Sequence, residues 1–483
     1  MKCSLISTLP LLCGALVGLF GCSVDARNFE SGPGGAGGSG GEGGGGGAGG
    51  SGMSCSAPED CPAGENETAA CIEGQCSVTC NQGLLDCDPD VPGCETSALA
   101  KTSCGACGTA CATECVPTVD GGEPFCNDPI DISAGYNHTC VIRRDGSLWC
   151  WGRNEVGELG ILTPGSVPVP LFVPLPGKAK KVAAGGAIYV GMVALAHTCV
   201  ILEDTTVYCW GSGNYGQLGL GGSVSSFEPA QVTSLVNAVD LSAGGGHTCA
   251  VKSDGDLFCW GLDENGQVGD GMAQDATTPK LIMGNAKSVD AGQNHTCAIM
   301  QTGSLRCWGK NFDGQLGTGD STDRLAPAEV GIPLKLNVDE VATGDRHTCA
   351  RKGNEAYCFG NDYNGACAAN KWGPVPDPTL VAVPAVTHIA VGRERSGAVS
   401  SAAGLVKMWG VAPLGDGGGG VTGTPVDVSI DGVAKIAGGY QHTCVLKTNG
   451  EVWCWGEDND EQLGNGPGKV TEPTPVPVFW GDP

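Results

Sequence analysis

Apolar and polar positions alternate along short stretches of this chain, and the stretches come in pairs. Cys249-Ala-Val-Lys-Ser-Asp-Gly-Asp-Leu-Phe-Cys259 is representative. Alternation on both sides of Ser253-Asp254-Gly255 predicts two antiparallel strands joined by a three-residue hairpin loop, with Gly255 where the backbone needs positive φ. Arg144-Asp145-Gly146, Gln301-Thr302-Gly303 and Thr448-Asn449-Gly450 are the same loop in other copies. His-Thr-Cys opens the first strand at His138, His197, His247, His295, His347 and His442. An aromatic-Gly pair closes the second strand after Cys150, Cys209, Cys259, Cys307, Cys358 and Cys454. Recurrence near a period of about fifty residues means a repeat architecture, in which each unit buries its apolar face against its neighbours.

Counting back from each loop sets the two cysteines opposite one another, in the close class of antiparallel pair. The predicted bridges are Cys140 with Cys150, Cys199 with Cys209, Cys249 with Cys259, Cys297 with Cys307, Cys349 with Cys358, and Cys444 with Cys454. The fifth copy is one residue shorter, and its loop shortens to Gly353-Asn354, so the register survives. A seventh copy reads Ser396-Gly397-Ala398, then Ala402-Ala403-Gly404, then Met408-Trp409-Gly410. Ala398 and Met408 stand there for the two cysteines, a paired loss that a bonded pair predicts. The competing reading is a zinc set, because His247 and Cys249 share a strand face with Cys259 opposite. The hairpin geometry needs no metal, and the histidines are expected to bridge to backbone in neighbouring units. Metal and cofactor are therefore both predicted to be absent.

A full unit continues from the Trp-Gly strand into a glycine-rich loop. Asn214-Tyr-Gly216-Gln217-Leu218-Gly219 and Asn311-Phe-Asp-Gly314-Gln315-Leu316-Gly317 show it well, and Asn265-Gly266-Gln267-Val268-Gly269 repeats it. Asn154-Glu-Val-Gly157-Glu158-Leu159-Gly160 and Glu461-Gln462-Leu463-Gly464 are close variants. Short, evenly spaced strands with a Trp in most units are signs of a propeller. Over about 128–483 the composite motif resembles the regulator of chromosome condensation repeat family. That resemblance implies an all-β fold, a seven-bladed β-propeller with one four-stranded blade per repeat. In the eukaryotic namesake it also implies nucleotide exchange on a small GTPase and docking on chromatin. A secreted bacterial β-lactamase inhibitor of similar fold serves purely for protein binding, and fold alone decides nothing further.

The rest of the chain changes the functional expectation. Residues 1–21 read as a signal peptide: Met1-Lys2, a mostly apolar run from Leu5 to Phe20, then Gly21. Leu19-Phe20-Gly21-Cys22 resembles a lipoprotein processing box, with Cys22 as the lipidated residue and Phe20 a departure from the usual small residue. Ser23 in place of Asp points to the outer membrane; secretion or a periplasmic location is the alternative. Residues 22–52 form the anchor region and a tether, almost pure glycine from Ser31 to Gly52, with an r.m.s. span of roughly 25 Å. Residues 53–127 hold twelve cysteines and few core formers, so this module depends on disulfides. It contains Cys104-Gly-Ala-Cys107, a candidate redox or metal pair, and Asp86, Asp88 and Asp90, an incomplete calcium loop. Asn66, Asn137 and Asn294 open glycosylation patterns, the last two inside a core strand motif.

Charge and motif content narrow the class. The chain carries 26 basic and 52 acidic residues, and such a surface repels phosphate backbones. Nucleic-acid binding is excluded as an expectation. No nucleophile elbow, phosphate loop or two-His metalloprotease motif is present, so no enzyme is expected. The sequence reads as a monomeric binding or scaffold protein displayed at the cell surface. It would recognise a protein or glycan and touch the membrane only through its lipid; nucleotide exchange on a small GTPase is the alternative. One departure from the repeat suggests where binding happens. Between Gly186 and His197 ten mostly apolar residues replace the usual two or three. Ile188, Tyr189, Val190, Met192 and Leu195 are the candidate contact residues, because an exposed apolar loop marks a contact surface.

Overall fold

The computed structural model describes residues 125–187 and 195–480. Before them it describes residue 57, the short segments 67–72, 75–80, 84–85 and 96–97, residue 111, and 114–116. Seven four-stranded antiparallel sheets follow one another from 129 to 477. They span 129–173, 179–231, 238–283, 286–329, 340–381, 386–428 and 433–477, here called blades 1 to 7. Every blade is contiguous in sequence, and its strands lie in chain order with the first strand innermost. The ring therefore closes between blades 7 and 1 without exchanging a strand. The twelve repeat cysteines form the six expected bridges, each across the middle hairpin with Cα atoms 4.1 Å apart. That spacing is the close class of antiparallel pair.

Blade 6 corrects the reading of the seventh copy. Arg395 pairs with Gly410, Ser396 with Trp409 and Gly397 with Met408. In blade 2, His197 pairs with Gly211, Thr198 with Trp210 and Cys199 with Cys209. The lost cysteine position is thus Gly397, not Ala398, and Arg395 stands where the other blades have histidine. A β-carbon on Gly397 would run into the Met408 sulfur, so Met408 occupies the space that the bridge fills elsewhere.

Packing between blades uses one repeated device. The indole rings of Trp151, Trp210, Trp260, Trp308, Trp409 and Trp455, with Phe359 in blade 5, are fully buried. A blade's Thr hydroxyl donates to the loop carbonyl of the blade before it, as Thr248 Oγ1 does to Gln217 at 2.8 Å. The Trp260 indole N–H donates to that same carbonyl at 2.9 Å. His197 of the preceding blade meets the Thr248 hydroxyl through Nε2 at 2.9 Å. Because the Thr proton is committed to the carbonyl, Nε2 is the donor. The histidines thus do bridge between blades, but a hydroxyl rather than backbone receives them. Two glycines make room for this. A β-carbon on Gly292 would lie 2.5 Å from the Gly344 oxygen and 2.7 Å from His295 Cε1. One on Gly219, at φ +72°, would lie 2.8 Å from Trp260 Nε1.

In the cysteine-rich module, Cys111 bonds Cys126 at the threshold of blade 1. The Glu114 carboxylate there meets Arg143 at 2.7 Å and Asn127 at 3.0 Å. The signal segment, Cys22, the tether, Cys104, Cys107 and the Asp86–Asp90 run lie outside the described residues.

Candidate interaction face

His197 pairs with Gly211, so the connection entering His-Thr-Cys and the loop leaving Trp-Gly lie at the same end of a blade. All seven blades repeat this, and the two sets of loops make one face. Around the axis the residue after the strand-ending glycine forms a rim: Tyr136, Gly186, Gly245, Gln293, Asp345, Arg393 and Tyr440. Backbone stitches the rim together, as where Gly186 N donates to Gly244 O at 2.9 Å and Gln293 N to Gly344 O at 2.9 Å.

The rim is lopsided. On one side the Arg393 guanidinium lies over the Tyr440 ring at 4.7 Å, and Tyr440 meets Tyr136 with ring centroids 4.3 Å apart. Asp345 receives the Gln293 amide at 3.1 Å and faces Arg393 at 3.9 Å. Burial raises the Asp345 carboxyl to about 6, against the pull of Arg393 and Arg346. Desolvation also pushes both tyrosines above their ordinary value, so they stay protonated and neutral. On the other side, among the described residues, the rim positions are Gly186 and Gly245. The rim encloses an axial cavity of about 300 Å³. A second cleft of about 210 Å³ lies beside it, between blades 5 and 6. Arg346, Asn361, Tyr363 and Asn364 line it, and Arg393 is shared with the axial cavity.

Farther out, the loop tips differ in the same sector. Blades 1, 2, 3 and 7 expose Glu155, Asn214, Glu264 and Asn459 there, whereas blades 4 and 5 expose Phe312 and Tyr363. Phe312 is 67% and Tyr363 55% accessible. Arg346 is held out by the buried Asp313 carboxylate, 2.7 Å from both its Nε and its Nη2. Asn361 adds a second bond to Asp313 at 3.0 Å. Tyr, Phe and Arg in this arrangement have the composition of an interaction hot spot. Pattern reasoning missed Phe312 and Tyr363 because both sit inside loop copies that otherwise match. Aligning the loops residue by residue exposes them as the aromatic exceptions.

The insertion gives a mixed result. Ile188, Tyr189, Val190 and Met192 lie outside the described residues. Leu195 is fully buried and is not a contact residue. Its amide donates to Ala187 at 3.0 Å, while its side chain fills the space beside Gly246. An apolar residue two places before a buried histidine belongs to the seam between blades. Cys367, the unpaired propeller cysteine, is also core: it takes the Leu place of the blade-5 loop, and burial pushes its thiol well up. In the native state it is closed to alkylation. Among the described residues no cluster of His, Cys, Asp and Glu is arranged to hold a metal ion.

Models of the regulator of chromosome condensation (RCC1) repeat match residues 145–190, 204–251, 254–299 and 302–351. A second model of that repeat matches 130–158, 238–267, 286–315 and 433–462. The chain is 35% identical over 105 residues to the ultraviolet-B receptor UVR8 of Arabidopsis thaliana, covering 21% of this chain and 22% of the receptor. It is 37% identical over 97 residues to the regulator of chromosome condensation of Drosophila melanogaster, covering 19% and 16%. These matches span about a fifth of the curated relatives' length. Human WBSCR16 has the same fold, with a TM-score of 0.62 at 22% identity over 69% of this chain and 94% of that one. Yeast RCC1 (Prp20), solved with Kap60, follows with 0.60 at 21% identity over 73% and 84%. With seven blades, six of them opening their second strand on His-Thr-Cys, the chain belongs to the regulator of chromosome condensation repeat family.

Proposed function

We propose that this protein is an exported binding module with no catalytic activity of its own. In this reading it is anchored by a lipid on Cys22, held off the envelope by the tether, and monomeric, and it engages a protein or glycan through the loop face of its propeller. One observation carries the reading. Six of the seven blades keep their buried His and Thr, while among the described residues the aromatic and basic departures of the loop face gather in one sector: Phe312, Tyr363, Arg346 and Arg393. Units that only pack against each other have no reason to diverge on one face. Six disulfides in the propeller support an oxidising compartment. The outer membrane, facing the cell exterior, is the proposed location.

Affinity capture with the oxidised chain tests this. Phe312→Ala and Tyr363→Ala should each lose the captured partner at unchanged melting temperature, whereas Asp254→Ala on the opposite, hairpin face should keep it. Replacing residues 188–194 with a short glycine link, which spares the buried Leu195 and Ala196, tests whether the insertion contributes. Equal capture by all variants would sink the assignment. Cys22→Ala should release the protein from the membrane fraction. Nucleotide exchange on a small GTPase is favoured only by family membership, and accelerated release of a fluorescent GDP analogue would establish it instead.

A further inference from the structure

We propose that the axial cavity is a binding site for one neutral, hydroxyl-rich ligand, a single pyranose sugar unit. This rests on the reading of the propeller as a binding module, at a site distinct from the aromatic sector of blades 4 and 5.

The walls of the cavity are the free edges of seven innermost strands, whose alternate N–H groups turn away from their sheet. At the level nearest the rim, three blades have such a donor accepted by a side chain of the neighbouring blade. Ser133 Oγ takes Ala184 N at 2.9 Å, Ser242 Oγ takes Ala291 N at 3.0 Å, and Asp290 takes Thr343 N at 2.6 Å. At the equivalent places stand Ala183, Ala342, Ala390 and Ala437. The corresponding N–H groups of Ala243, Val391, Gly438 and Ala134 therefore face the axis without a side-chain acceptor. The same alanines keep the cavity open. Lys181, which also lines the cavity, is paired with Asp240.

The cavity thus presents donors from four strand edges and Arg393, and an acceptor in the Asp345 carboxylate. A hydroxyl group both donates and accepts, so a ring carrying several answers both sets at once. The charged rim groups, Asp345 and Arg393, offset each other, which favours a neutral ligand over an ion. Asp345, Gln293 and Arg393 stand side by side as planar groups for neighbouring hydroxyls. At about 300 Å³ the cavity sits at the small end of ligand sites, which run roughly 300–1,000 Å³, and suits one sugar ring rather than a chain.

The test is saturation-transfer NMR on the oxidised full chain with a panel of methyl pyranosides: glucoside, galactoside, mannoside, rhamnoside and N-acetylglucosaminide. Saturable binding of at least one in the millimolar range is expected. Asp345→Asn and, independently, Arg393→Lys should weaken it by about tenfold or more, the loss of one charge-assisted hydrogen bond, with the melting temperature confirming each fold. Tyr363→Ala should leave sugar binding intact while abolishing partner capture, which separates this site from the face proposed above. If no glycoside saturates, the cavity holds water alone and the proposal falls. It falls equally if both folded rim variants bind like the parent.

Discussion

The seam between blades 7 and 1 has no chain crossing it, and the seam between blades 6 and 7 does, yet the first is the better bonded. At the closing seam Thr139 Oγ1 meets His442 Nε2 at 2.9 Å and Gln462 O at 3.1 Å, and the Trp151 indole donates to the same carbonyl at 3.0 Å. Trp480 then lies edge-on to Trp149 and Trp151, with Arg143 over both Trp149 and Trp480. Lys435 reaches across to Asp131 at 2.9 Å. At the continuous seam Arg395 replaces the histidine and turns back on its own blade, where its Nη1 takes the Pro413 carbonyl at 2.8 Å. That carbonyl is the one Thr443 and Trp455 would use. Both Thr443 Oγ1 and Trp455 Nε1 are buried with no hydrogen-bond partner. A ring joined only by packing is held at its break by the full device, whereas a covalent link tolerates a depleted seam beside it.

The largest test concerns the histidines that seam 6–7 lacks. Burial lowers His138, His247, His295 and His442 to about 3, and His197 and His347 to about 4. Below pH about 6.5 the unfolded chain takes up protons that the folded chain refuses. Each site therefore costs up to about 1.4 kcal/mol of stability per pH unit until its folded value is reached. Asp263, raised to about 7, and Asp345 and Asp458, raised to about 6, act with the opposite sign and offset part of this. Burial raises Glu158, Asp275, Asp290 and Glu340 as well, and they add to this offset. Below pH about 4 such carboxyls are protonated in both states and the histidine loss is unopposed, so the melting temperature should fall most steeply there. The ring signals of these six histidines should not titrate above pH about 4; any of the six titrating near 6.5 in the folded protein would refute the neutral relay.

Next in size is one substitution made at both seams. Thr139→Val strands the His442 donor and should cost about 2 kcal/mol, whereas Thr443→Val removes a hydroxyl that bonds nothing and should be neutral or slightly stabilising. Chemical denaturation of the two variants compares them directly, and equal losses would abolish the distinction between the seams. Restoring the seventh bridge with Gly397→Cys and Met408→Cys should add about 2–3 kcal/mol under oxidising conditions and nothing when reduced. The single change at Ala398 implied by the shifted reading should form no bridge, which non-reducing peptide mapping detects. The smallest effect is Arg395→His. It frees the Pro413 carbonyl and offers Thr443 a partner, for a gain of about 1 kcal/mol. A loss of stability would mean that the Arg395–Pro413 bond matters more than the relay.

The shifted copy shows where pattern reading fails. Ser396-Gly397-Ala398 looks like a degraded His-Thr-Cys because its first residue is polar and its second is small. Trp409-Gly410 is the firmer anchor: in every blade the glycine after the aromatic residue faces the histidine position, and that rule places Arg395 there. Leu195 failed for a different reason. Its apolar neighbours made it look like part of an exposed loop, and only the approach of Gly246 from the next blade buries it. Cys367 is an unpaired thiol in the structure, and laying the blade-5 loop over its siblings shows that it takes their Leu place.

By itself the sequence determined everything that repeats within about ten residues: the hairpins, the facing cysteines, the number of blades and the end of each blade at which its loops gather. Those features follow from strand periodicity and turn chemistry, which are local. Only the tertiary structure decided which polar groups find partners. The acceptor for Trp151 comes from Gln462 at the other end of the chain, and Trp455 loses its acceptor because Arg395 claims the Pro413 carbonyl. The rim behaves the same way, since Gln293, Asp345, Arg393 and Tyr440 come from four different blades. Such groupings depend on distances between units, and a pattern read one repeat at a time carries no information about them.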